Sequence, residues 1–194
     1  MFSILIPSLN NLEYLKLCIH SIKKNSKHAH EIIVHVNEGK DNTIDYLESN
    51  NIKYTHTKYN IGMPKALNKS SKLANLDYIL ISHDDFYFCP GWDISFLHEV
   101  RKLTNNLFYF SGIMIEKDTV NGIFGTDIKD FNEKKLLSEH ESLIFEDFQG
   151  STWAPHLIHK NIWEKIGGFS EEFYPGTGSD PDLNKKLWDI GVRI

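Results

Sequence analysis

Two adjacent carboxylates, Asp84 and Asp85, follow a short apolar segment at 78–81 and precede a Pro90-Gly91 turn signal. The apolar segment predicts a buried strand, so both acids stand where that strand leaves the core. Because successive side chains of a strand point to opposite faces, one carboxylate can bind a metal ion while the other binds a ligand hydroxyl. Capping of the turn or of the following helix is an alternative role for an isolated pair of this kind.

A second pair of acids, Asp180 and Asp182, stands at the start of the last predicted helix, 183–190, after the glycine-punctuated segment 171–179. Carboxylates at a helix N-terminus are stabilised by the helix dipole. This structural role accounts for one of the two acids and leaves the other available for chemistry.

The first half of the chain alternates apolar strands with amphipathic helices. Strands are predicted at 2–6, 31–36, 51–56 and 78–81, with helices between them. Such alternation is typical of an α/β domain with a mostly parallel central sheet flanked by helices. Ligands of these sheets bind beyond the carboxyl ends of the strands. We therefore expect three loops to converge on one site: 8–11, 37–41 and 83–85.

The second half is less regular. Apolar residues 107–115 predict a long strand, and 151–159 predict another, interrupted by Pro155. Between them the pattern loosens, with one amphipathic piece at 134–143. A short helix at 161–169 ends at a pair of glycines, which is a common helix stop.

Bulk composition excludes several classes of protein. At 194 residues the chain is expected to be a single domain. Its net charge of −5, with scattered basic residues, argues against a nucleic-acid partner. The only two cysteines, Cys18 and Cys89, lack metal-ligand spacing and are expected to be reduced packing residues, as in a cytoplasmic protein. No apolar run approaches the ~20 residues of an integral membrane segment.

Five segments of the chain carry motifs in a characteristic order. The segments are 3–10; 32–39 with Asp41 and Thr43; 60–62 with Ala66 and Asn68; Asp84-Asp85 with 90–92; and 167–173 with 179–183 and Gly191. Taken together, they resemble the inverting family 2 glycosyltransferases, whose fold is the Rossmann-like GT-A fold of the nucleotide-diphospho-sugar transferases. No one segment is specific, but their order and spacing are, and they span nearly the whole chain.

The resemblance implies a role for each matching residue. Asp85 matches the acid of the DXD-type motif that binds a divalent cation, Mn²⁺ or Mg²⁺, and Asp84 its neighbour near the nucleotide ribose. Asp180 matches the acid proposed as catalytic base. The residues then expected to bind substrate are Pro7, Asn10, Asn37, Glu38, Asn60, Gly62, Asp84 and Asp182, with Trp153 as the candidate on the acceptor side.

The implied reaction is one displacement at the anomeric carbon of a nucleotide-diphosphate sugar. A divalent cation neutralises charge on the departing nucleoside diphosphate. Asp180 takes the proton from an acceptor hydroxyl of a glycan, lipid or protein as that oxygen attacks. The anomeric centre is inverted, so no protein nucleophile is needed. In this scheme residues 1–104 form the nucleotide-sugar-binding half of the domain, and residues 105–194 the acceptor-binding and catalytic half.

Several positions depart from the family pattern. Asn37 and Glu38 follow the second strand in place of the usual Asp, so base recognition is expected to pass to one of them, with uracil favoured. The first acid of the motif is replaced by Ser82 or His83, and the Glu before the base by Ser179. The chain stops where a segment with a metal-binding His normally follows, so we expect a C-terminal truncation or a minimal version with an incomplete metal shell.

Other functions fit the sequence less well. A nucleotidyltransferase would carry a glycine-rich basic loop after the first strand, and residues 7–11 are neither glycine-rich nor basic. A response-regulator-like acid would follow the first strand, where this chain has none. The remaining alternative is a non-catalytic GT-A domain that binds a nucleotide sugar or glycan.

Overall fold

A six-stranded sheet forms the centre of the protein in a computed structural model that describes residues 1–115, 124–143, 150 and 154–194. The strands are β1 (Phe2–Leu9), β2 (Glu31–Asn37), β3 (Lys53–Thr57), β4 (Tyr78–Ile81), β5 (Tyr109–Ser111) and β6 (His156–His159). The helices are α1 (Leu12–Asn25), α2 (Thr43–Ser49), α3 (Gly62–Ser71), α4 (Trp92–Arg101), α5 (Glu133–Glu139), α6 (Lys160–Ile166) and α7 (Ser179–Asp189).

The strand order is β3-β2-β1-β4-β6-β5. Strand β1 pairs in parallel with β2 and β4, and β2 pairs in parallel with β3. Strand β6 runs antiparallel to both β4 and β5. The mostly parallel α/β domain predicted from the sequence is therefore confirmed, and the carboxyl ends of β1 to β4 share one edge of the sheet.

The two faces of the sheet bury two separate cores. Along β1, Ile4 and Ile6 point to one face and Leu5 to the other, as the two-residue period of a strand requires. Helix α1 contributes to the first core, and α3 and α7 contribute to the second. Burial on both faces explains why the central strands are continuous apolar runs.

The amino-terminal edge of the sheet is held together by Glu31. Its carboxylate accepts hydrogen bonds from the Ser3 hydroxyl at 2.6 Å, from the Asn75 backbone N–H at 2.9 Å and from Lys53. Burial would raise the pKa of Glu31, but these donors outweigh it and lower the pKa to about 2. One side chain thus links the starts of β1, β2 and β3 to the segment after α3.

Two elements of the second half differ from the sequence prediction. The strand predicted at 107–115 forms the strand β5 only over Tyr109–Ser111, with an isolated bridge from Phe108 to Arg193 before it. Its partner β6 begins at His156, because Pro155 has no N–H to give to a strand ladder. The helix predicted at 183–190 begins earlier, at Ser179, so Asp180 and Asp182 lie in its first turn.

Within the described part of the chain, no helix combines the length and the apolar character needed to cross a membrane.

Candidate functional site

A cleft of about 270 Å³ opens at the carboxyl edge of the sheet. The loops after β1 and β4 meet there with Asn37, the last residue of β2, and with Asn60 before α3, and the segment before α7 closes one side. Its lining residues are Pro7, Ser8, Leu9, Asn11, Asn37, Asn60, Gly62, Met63, His83, Asp84 and Pro175. A larger open groove of about 490 Å³ lies beside the amino end of β3 and contains none of the predicted site residues.

Asp84 and Asp85 differ in their surroundings. Asp84 is half-buried, and burial raises the pKa of its carboxyl group. The Ser8 and Asn11 side chains oppose that rise, and the charge of Asp85 adds to it. Asp85 is exposed. The pair therefore presents one carboxylate inside the cleft and a second one to solvent at its edge.

The donor atoms at this edge fit a divalent cation only in part. Among the described residues, no group of three His, Cys, Asp or Glu side chains converges on one point. Mg²⁺ sites commonly use one or two carboxylates and take their remaining oxygens from water and substrate phosphates. Asp85, with Asp84 beside it, fits a cation whose coordination is completed by a bound diphosphate.

Asp180 is a half-buried carboxylate in the first turn of α7. Burial raises its pKa, and the nearby His83 acts in the opposite direction. A carboxylate with a raised pKa is a stronger base than an ordinary Asp, which suits the removal of a proton from a hydroxyl group.

Two buried polar groups accompany this acid. The Tyr109 hydroxyl and one carboxylate oxygen of Asp182 have no hydrogen-bond partner among the residues that the structure describes. Burial raises the pKa of Tyr109 well above its ordinary value, and the charge of Asp180 raises it further. Because an unpaired buried polar group costs about 1–3 kcal/mol, such groups are typical of a place that a ligand or water completes.

The opposite wall of the cleft is built by hydrogen bonds of two asparagines. The Asn37 side-chain oxygen accepts from the Ile61 N–H at 2.9 Å, and the Asn60 side-chain oxygen accepts from the Gly62 N–H at 2.9 Å. These contacts fix the chain that enters α3.

Gly62 is the point at which the segment before α7 docks on α3. Its φ is +78°, and a Cβ there would lie 2.9 Å from a Tyr174 ring carbon and 3.0 Å from the Pro175 carbonyl oxygen. The next residue, Met63, donates its N–H to that same oxygen at 2.8 Å. Only a glycine allows this close approach.

Asn10 and Glu38 join the β1 and β2 loops outside the cleft lining. The Asn10 amide donates to the Glu38 carboxylate at 2.9 Å, and Lys40 pairs with the same carboxylate at 2.8 Å. Lys40 and Asn10 lower the pKa of Glu38. Both residues have positive φ, +49° for Asn10 and +65° for Glu38, a strained conformation that clusters at functional sites.

The predicted site residues therefore fall into three groups. Five of them line the cleft: Pro7, Asn37, Asn60, Gly62 and Asp84. Five others lie outside its lining: Asn10, Glu38, Asp85, Asp180 and Asp182. Trp153 lies outside the described residues.

Sequence reasoning missed other lining residues, chiefly Ser8, Asn11, Met63, His83 and Pro175. Three of them carried a local signal, since Ser8, Asn11 and His83 belong to the loops that were expected to converge. Pro175 carried none, because only the fold of the second half brings it to the first residues of α3.

Solved glycosyltransferase structures share this fold. The chain superposes on S. aureus TarS 1–349 with a TM-score of 0.68, 14% identity, and coverage of 96% of this chain and 55% of that one. The same fragment in complex with UDP-GlcNAc gives a TM-score of 0.68 at 14% identity, with coverage of 96% of this chain and 53% of that one. The mannosyltransferase PcManGT from Pyrobaculum calidifontis, in complex with GDP-Man and Mn²⁺, gives a TM-score of 0.67 at 14% identity, with coverage of 99% of this chain and 53% of that one.

The chain thus spans about half the length of these structures. No curated protein matches it significantly. A family model described as "Glycosyl transferase family 2" matches residues 3–167, a range that contains Asp84 and Asp85 and ends before Asp180. The protein is therefore a single α/β domain of GT-A type that belongs to glycosyl transferase family 2.

Proposed function

We propose that the protein transfers a sugar from a nucleotide-diphosphate sugar, with a UDP-sugar favoured, to an acceptor hydroxyl of a glycan, lipid or protein, with inversion and with the help of a divalent cation. The observation that supports this best is the disposition of the acids. Asp84 lies within the cleft beside the β1 loop, and Asp180 lies within electrostatic reach of His83, which lines the same cleft.

On the donor side, Asp84 is suited to accept a hydrogen bond from the ribose, and Asp85 to bind Mn²⁺ or Mg²⁺. When bound, the cation would neutralise charge on the nucleoside diphosphate. The complexes of TarS with UDP-GlcNAc and of PcManGT with GDP-Man and Mn²⁺ support this class of ligand. Pro7, Asn37 and Asn60 would form the wall around the nucleoside, with Asn10 and Glu38 holding its outer loops.

On the acceptor side, Asp180 would remove the proton of the attacking hydroxyl as the new glycosidic bond forms. Asp182, two residues further along the same helix, would orient the acceptor, with Trp153 as a further acceptor contact. We assign donor binding to residues 1–104 and acceptor binding to residues 105–194. A cytoplasmic setting suits the two free thiols, Cys18 and Cys89.

A transfer assay tests the proposal. The protein is incubated with labelled UDP-GlcNAc, GDP-Man and dTDP-glucose, with Mn²⁺, in the presence of lipid and glycan extracts from the source organism. Label in an acceptor, with the opposite anomeric configuration by NMR, is the expected result. Binding of a nucleotide sugar without transfer would favour the non-catalytic binding domain instead, and a retained anomeric configuration would contradict the inverting mechanism.

A further inference from the structure

His83 lies just after the carboxyl end of β4, where hydrogen bonds fix its backbone. The His83 carbonyl oxygen accepts contacts from the Cys18 thiol at 3.4 Å and from the Ser82 hydroxyl at 3.2 Å. The His83 ring lies against Phe86, with 5.2 Å between ring centroids. These contacts restrain both the main chain and the ring, so the imidazole has a defined place in the cleft lining.

That place is within electrostatic reach of both acids. His83 lines the same cleft as Asp84, and its charge lowers the pKa of Asp84 and of Asp180. In the proposed reaction these acids serve the ribose and the acceptor hydroxyl, which are the two ends of the reacting assembly. The group between those two ends is the diphosphate with its sugar.

Among the described lining residues, the Ser8 hydroxyl and the three asparagine amides are neutral donors to an anion. None of the described lining residues is a Lys or Arg, and His83 is the one among them whose side chain can carry a positive charge. Phosphate oxygens bind most strongly to charged or strongly polarised N–H groups.

We propose that His83 donates a ring N–H to the diphosphate of the donor and thereby positions the leaving group. This inference rests on the proposed function. Neutral imidazole carries one N–H and imidazolium carries two, so the contact exists in either protonation state. His83 is then a substrate-binding residue that acts beside Asp85 and adds to what a cation supplies.

The test compares a nucleoside with its diphosphate. Wild type and His83→Phe are titrated with uridine and UDP, and with guanosine and GDP, at saturating Mn²⁺. Phenylalanine keeps a ring against Phe86 but has no N–H. We expect diphosphate affinity to fall about ten- to a hundredfold while nucleoside affinity is unchanged. His83→Gln, which retains an N–H donor, should recover part of the loss, and His98→Phe on the exposed face of α4 should behave as wild type.

Three results would overturn the inference. The first is unchanged diphosphate affinity in His83→Phe. The second is an equal loss for nucleoside and diphosphate, which would mean general damage to the cleft. The third is a tenfold rise in the Mn²⁺ concentration needed for half-maximal UDP binding, which would make His83 a metal ligand. A wild-type protein that binds neither diphosphate would instead overturn the proposed function itself.

Discussion

Burial assigns different roles to acids that look alike in the sequence. Asp84 and Asp85 are neighbours, yet one lies half-buried in the cleft and the other is exposed at its edge. Asp180 is half-buried on α7, and burial raises its pKa. Desolvation of a carboxylate without a full set of hydrogen bonds costs stability, so its retention at such a place is typical of a functional site.

The proposed role of Asp180 as the base makes a kinetic prediction. Asp180→Asn should lower the rate of transfer by about 10²–10⁴-fold, because the amide cannot accept the proton, while the affinity for the nucleotide sugar stays within twofold. Asp189→Asn, an exposed position on the same helix, is the matched control. Parallel loss of transfer and nucleotide affinity would remove Asp180 from the base role.

The same substitution makes a prediction about stability. Since the pKa of Asp180 is raised in the folded protein, its ionised form is disfavoured there relative to the unfolded chain. This loss of stability is absent below about pH 3.9, the pKa of the carboxyl group in the unfolded chain, and is complete above its pKa in the folded protein. Asp180→Asn should therefore raise the melting temperature at pH 7, and the gain should shrink as the pH falls towards 4. A lower melting temperature at pH 7 would contradict the account.

Among the elements, the junction between α3 and the segment before α7 depends on Gly62. Gly62 and Gly91 have similar φ values, +78° and +82°, but a Cβ on Gly91 would meet nothing within 4 Å. Gly91→Ala should cost about 1–2 kcal/mol for the left-handed backbone alone. Gly62→Ala should cost about 1–3 kcal/mol more, because it also collides with Tyr174 and Pro175, and it should weaken donor binding. Urea unfolding and nucleotide titration measure both effects, and equal costs for the two variants would contradict this docking.

The hydrogen bonds of Glu31 at the amino-terminal edge of the sheet give a pH prediction. The pKa of Glu31 is lowered to about 2, so its ionised form stabilises the folded state above the unfolded pKa, and that stability is lost as the pH falls towards 2. Glu31→Gln should lower the free energy of unfolding at pH 7 by about 1–3 kcal/mol. The difference from wild type should diminish at pH 3. A difference that does not change with pH would mean that the carboxylate charge is not what holds this edge.

Sequence patterns predicted some of these elements better than others. The central strands were identified because burial on both faces makes them continuous apolar runs, and their alternation with helices indicated a parallel sheet. The end of β5 was not predicted, because an apolar run does not indicate where its partner strand begins. The need for glycine at position 62 was also not predictable, because Tyr174 and Pro175 are distant in sequence and contact this position only in the folded chain.

For the molecule as a whole, the predicted site is one edge of a sheet. The loops expected to converge do so because parallel strands place their carboxyl ends together. The second half was less accessible to sequence reasoning, since its loops are positioned by contacts distant in the chain. Asp180, for example, is brought towards the cleft by α7, beyond the range matched by the family model.

The most direct test of the central claim is a calorimetric titration with UDP-, GDP- and dTDP-sugars, in Mn²⁺ and in EDTA, of wild type and of Asp85→Asn. The account predicts that one of these donors binds wild type in Mn²⁺ and loses at least tenfold in affinity in EDTA. It predicts a similar loss for Asp85→Asn in Mn²⁺, with little further effect of EDTA. Binding that is absent, or that is indifferent to both the cation and Asp85, would contradict it.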